Sequence, residues 1–148
     1  MLRMILPIRP IAGATVPEVP AVLDDALGEW AKVAGGSLDA CMVLDDVCRV
    51  AAISATAATF IGEPADAILG RFLLEVIHIV DFTEVAGPGE TYKRSIPPIA
   101  AVRDDHLHRG LLRLRRADGE RVTLDAVAAP IRGPHGKVAG SITFFASL

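Results

Sequence analysis

The chain has 148 residues, 51% of them hydrophobic and 22% charged, with a formal net charge of −3. That length fits one domain able to bury roughly two-thirds of its extended-chain surface, and the apolar content at low net charge excludes wholesale disorder. Mean hydropathy is +0.42, yet each apolar run falls short of the roughly 18–20 residues a membrane span needs, and a pI near 5.8 speaks against a nucleic-acid-binding domain.

Residues 1–20 carry Pro7, Pro10, Pro17 and Pro20 and show no sustained periodicity. Pro7, Arg9 and Pro10 break the first apolar stretch before it reaches the length of a secretory signal. This segment reads as an N-terminal tail or an exchanging strand. In residues 21–36 the pattern changes. Val22, Leu23, Ala26, Leu27, Trp30, Ala31 and Val33 recur at three- and four-residue steps, which predicts an amphipathic helix that Gly35 and Gly36 end. Residues 37–148 follow as one α+β domain.

That domain opens with two short apolar runs, 38–44 and 49–54, separated by Asp45, Asp46 and Val47, the pattern of a hairpin. Both faces of these strands are apolar, so something must cover the second face. Residues 55–60 form a short helix closed by Gly62, and 64–69 another, stopped by Gly70. A further helical turn or two fits 71–79. Residues 81–94, with Gly87, Pro88 and Gly89, read as a loop, and 98–105 as a short helix. Strands at 107–116, 121–130 and 137–146 are separated by the turn signals Ala-Asp-Gly-Glu and Gly-Pro-His-Gly. Helix, two strands, several short helices, then three strands predicts an antiparallel sheet with helices gathered on one face.

At this point the sequence resembles a PAS domain. LDDVCRVAAISATAATFIGEPADAILGR resembles the family's hairpin, helix and Gly-Arg ending, here Gly70 and Arg71. LLEVIH, ending at His78, is similar to a second family segment. LRRADGERVTLDAVAAPIRGPHGKVAGSITFF matches a third, with Asp118, Gly119, Pro130, Ile131 and Gly136 in place. The resemblance covers residues 37–145. It implies a five-stranded antiparallel sheet curved around short helices, and a sensory or dimerisation role. Ser54 stands where the family often has a helix-opening Asn and can still cap that helix. Cys48 stands where the hairpin turn usually has Gly, so a left-handed backbone there is less comfortable. The chain stops at Leu148 without the Asp that commonly links the last strand to an effector, which fits either a free-standing protein or a fragment.

Candidate chemistry is sparse. His78 takes a structural role by resemblance. His106 and His108 alternate on one strand face, the pattern of a solvated edge, and His135 sits in an exposed turn. Haem is the alternative cofactor reading, because some PAS domains ligate it through a His on the central helix; here that helix has none inside it. A light-sensing flavin site needs a reactive Cys in an Asn-Cys-Arg-Phe motif, which neither Cys41 nor Cys48 has. The hairpin register places these two cysteines beyond disulfide reach, with Cys41 a small core hydrophobe and Cys48 a turn thiol. No catalytic motif is present, and Asp24–Asp25, Asp45–Asp46 and Asp104–Asp105 read as turns or caps. Arg113, Arg115 and Arg116 alternate with Leu112 and Leu114 as a solvated cationic face.

The expected function is therefore a cytoplasmic, non-enzymatic sensing or protein-interaction module in signal transduction or transcription regulation, without a cofactor and with no nucleic-acid or membrane partner. By family topology and alternation, an apolar ligand pocket is expected from Val43, Ile53, Phe60, Leu69, Leu73, Ile77, Ile99, Val102, Leu112, Leu124, Ile142 and Phe144. A one-residue slip in strand parity swaps whole faces. Leu23, Leu27, Trp30 and Val33 form the expected homodimer interface, with Trp30 as its anchor.

Overall fold

The computed structural model describes residues 25–80 and 96–148. Its elements run α1 (Asp25–Gly35), β1 (Cys41–Asp45), β2 (Val50–Ile53), α2 (Ala55–Ile61), α3 (Ala65–Ile68), α4 (Leu73–Val76), β3 (His78–Ile79), α5 (Pro97–Asp104), β4 (His108–Arg115), β5 (Arg121–Arg132) and β6 (Val138–Ser147). The six strands form one antiparallel sheet in the order β2-β1-β6-β5-β4-β3. The expected five-strand count gains β3, whose two residues pair with Leu114 and Arg115. A strand that short leaves no alternation to read.

The β1–β2 turn explains its own sequence. Asp45 Oδ1 accepts from the backbone N–H of Val47 at 3.0 Å and of Arg49 at 2.8 Å, while Cys48 N donates to the Asp45 carbonyl at 3.0 Å. Closing the turn puts Cys48 at φ 67, the left-handed region the sequence marked as uncomfortable there. The hairpin ladder is interrupted once, between Val43 and Leu44. Leu44 pairs with Val50 but Val43 pairs with Ala52, so Ala51 is skipped as a bulge. Ser54 caps α2 as expected, its hydroxyl accepting from Ala57 N at 3.2 Å.

The sheet has an inner face under α2, α3, α4 and α5 and an outer face under α1. Met42, Leu44, Val50, Ile53, Ile68, Leu73, Val76, Leu112, Leu114 and Leu124 are buried in the inner core, and Phe145 packs half-buried against it. Leu27, Ala34, Cys41, Val43, Ala52, Ile131 and Ile142 form the outer core. The second apolar face of the hairpin is thus covered by α1 of the same chain. Cys41 and Cys48 are free thiols buried in the outer and inner cores respectively. Cys48 is accordingly a core residue as well as a turn residue, and burial pushes its thiol pKa up.

Candidate functional site

Where the inner face meets the short helices, a small, partly closed apolar cavity remains. It is lined by Met42 of β1, Ala57 and Ile61 of α2, Leu73 of α4 and Ile77 just after it. Pro98 of α5, Leu112 and Leu114 of β4, Leu124 of β5 and Phe145 of β6 complete the wall. Its free space is about 10 Å³, room for about one water, whereas an apolar cavity that takes up benzene measures roughly 150 Å³. The side chains largely fill the cavity themselves. A second concavity, an open groove of about 370 Å³, lies outside the core between α2 and the β4–β5 turn, with Glu63 and Arg116 on its rim.

Comparison with solved structures fixes what this architecture is. The PAS domain of a protein from Colwellia psychrerythraea superposes with a TM-score of 0.61 at 21% identity, covering 84% of this chain and 98% of that one. The chain has the PAS fold. The LOV protein of Rhodobacter sphaeroides gives a TM-score of 0.63 at 15% identity, over 83% of this chain and 67% of that one. VqmA of Vibrio cholerae gives 0.57 at 17% identity; this chain spans about half of it, 50%, while 81% of this chain is covered. No protein-family model and no curated protein matches the sequence.

Within this PAS fold, four of the expected pocket residues line the cavity: Leu73, Ile77, Leu112 and Leu124. Ile53, Ile99 and Val102 are buried in the same inner core without lining it, and Phe60 packs half-buried against that core. Three positions are corrections of parity. Val43 and Ile142 lie on the outer face beneath α1, and Phe144 is exposed on that face. Their neighbours Met42 and Phe145 line the cavity in their place, because successive side chains of a strand point to opposite faces. Leu69 is a fourth correction: it caps the end of α3 and stands 45% exposed. Ala57, Ile61, Pro98 and Leu114 also escaped the sequence reading. Leu114 was legible, being two residues from Leu112 on the same face.

The expected dimer set divides as well. Leu27 is buried, 3% exposed, against its own sheet, so it is committed within the chain. Trp30 and Val33 point away from the sheet and are exposed, and Leu23 lies outside the described residues. A helix has one stripe, and here Leu27, Ala31 and Ala34 use it for the sheet.

The donors for PAS cofactors do not converge on the cavity. His78, His106 and His135 are exposed. His78 is therefore a surface residue of β3 and not a buried structural group. His108 is half-buried at the start of β4, its Nε2 3.3 Å from Asp104 Oδ2, close but too misaligned for a hydrogen bond. With no His lining the cavity, the residues present do not fit haem ligation. Nor do they fit a flavin: among the described residues the wall carries no cysteine and no polar side chain. Among the described residues no group of three or more His, Cys, Asp or Glu is arranged to hold a metal, and no helix is long and apolar enough to cross a membrane.

Proposed function

We propose that the chain is a PAS sensing module whose signal is a small, mainly apolar molecule held between the inner sheet face and the short helices. The observation that carries this is the cavity at that junction, whose wall is wholly apolar among the described residues. Structures of VqmA bound to DPO share the fold and support a ligand-responsive role. The cavity opens on binding, because about 10 Å³ is too small for any organic ligand. An apolar wall without a titratable group among the described residues favours binding over catalysis, and the two free buried thiols suit the reducing cytoplasm. At a hundredfold excess over Kd, toluene or indole raises Tm by about 5–10 °C and shifts the methyl resonances of Leu73, Leu112 and Leu124. Unchanged Tm and unchanged resonances at saturating probe overturn the reading.

The protein-interaction half of the reading rests on Trp30 and Val33, two large apolar side chains exposed on α1. Self-association through that face is read by sedimentation: Trp30→Glu gives monomer where the unmodified chain dimerises. An unmodified chain that stays monomeric at high concentration removes the homodimer.

A further inference from the structure

Thr143 is fully buried on the inner face of β6, and its hydroxyl has no hydrogen-bond partner among the described residues. Ser141, two residues earlier on the same face, is equally buried but donates to the Pro98 carbonyl oxygen at 2.9 Å. Among the described residues, one hydroxyl is thus provided for and the other is left unpaired. A buried unpaired hydroxyl carries its full desolvation cost, which a valine of the same shape avoids.

The position of Thr143 connects it to the cavity. It stands directly opposite Met42 in the β1–β6 ladder and two residues before Phe145, and both of those residues line the cavity. Side chains directly opposite across a ladder have Cβ atoms about 5 Å apart. The hydroxyl-bearing residue thus stands beside two wall residues, Met42 across the ladder and Phe145 along its own strand. Unbranched, with three rotatable bonds and a polarizable sulfur, methionine adapts its shape more readily than the branched Leu and Ile around it.

We infer that the molecule this cavity accepts is apolar with a single hydrogen-bonding oxygen, such as a small phenol or ketone, and that Met42 withdraws so this oxygen meets Thr143 Oγ1. The inference rests on the ligand-binding reading above and adds to it a polar anchor and a moving part. A wholly apolar ligand leaves the Thr143 hydroxyl unpaired in the complex. A ligand with a second polar group buries that group against Leu112, Leu124 and Ile77 without a partner. One oxygen satisfies both constraints.

The test compares p-cresol with toluene, which differ by one hydroxyl, on the unmodified chain, Thr143→Ser and Thr143→Val. The ratio of p-cresol to toluene affinity, measured by calorimetry, falls about tenfold in Thr143→Val, the worth of one neutral hydrogen bond in an apolar site. Thr143→Ser keeps the ratio of the unmodified chain. The same ratio in all three proteins overturns Thr143 as anchor while the cavity reading stands; binding of neither probe overturns both. In the unmodified chain alone, p-cresol shifts the methyl resonances of Met42 and Thr143. A titration that moves the other cavity methyls and leaves these two in place overturns the inference without any variant.

Discussion

The two faces of the sheet are built from different materials. The inner core is made of Leu, Ile, Val and Met, with alanine a minority. In the outer core Ala26, Ala31, Ala34, Ala51, Ala52, Ala129 and Ala139 surround a few larger side chains. Burying alanine returns little free energy, since burial scales with apolar area, but it lets backbones approach closely. Gly140 shows how closely: a Cβ there would run into the Leu44 carbonyl oxygen and come 2.9 Å from Leu27 Cδ1. The inner face gains cohesion from volume, and the outer face gains proximity. Leu27 is the one large α1 side chain in the outer core among the described residues.

Gly140→Ala is the harshest way to break this arrangement. The obstacle is β1 backbone, so the strands must part, and the expected loss is about 4 kcal/mol or more, above the 1–3 of ordinary overpacking. Denaturant unfolding reads it; a loss under about 1 kcal/mol means that β1 and β6 yield freely. Leu124→Ala and Leu27→Ala then sharpen the comparison. Leu124 is 1% exposed in the inner core, and truncating it costs about 3–4 kcal/mol of global stability and enlarges the cavity. Leu27→Ala costs about 2 kcal/mol and appears first as faster amide exchange in α1, with the sheet still protected. Equal exchange across both layers contradicts the division.

How much of this was legible follows from where polar residues fall. The turns at Gly119 and Gly136 and the Gly62 stop announced themselves, so element order and fold class could be read. Face parity could not. Cys41-Met42-Val43-Leu44 has no polar member to show which side meets water, and all four residues are buried. In β6 the pattern misleads. Thr143, the polar residue, is fully buried on the inner face, while its neighbour Phe144 is 43% exposed on the outer face. The misread pocket residues Val43, Ile142 and Phe144 all trace to those two strands. Leu69 failed for another reason: helix α3 ends one residue sooner than its apolar run suggests.

The smallest effect belongs to the open part of the outer face. Arg109 donates to Asp125 through Nε at 3.1 Å and Nη2 at 2.6 Å. These hydrogen bonds hold the Asp125 carboxyl below its ordinary value of 3.8. A carboxylate depressed in the folded state adds stability above the ordinary value, and that addition is lost as pH falls through the lowered one. Exposure and salt screening keep it small. Carboxyl NMR titration of Arg109→Gln moves Asp125 upward; an unchanged titration assigns the depression to another cause.

Ser54 does more than cap. Its Oγ accepts from Cys41 N at 3.0 Å as well as from Ala57 N, and Cys41 Sγ in turn reaches the Ala34 carbonyl at 3.7 Å. A wall residue of the cavity is thereby strung to the far end of α1 through three polar contacts that pass through the thickness of the sheet. Cys41, the first residue of β1, is thus the point at which the helical layer on one face and the outer helix on the other are joined by polar contacts.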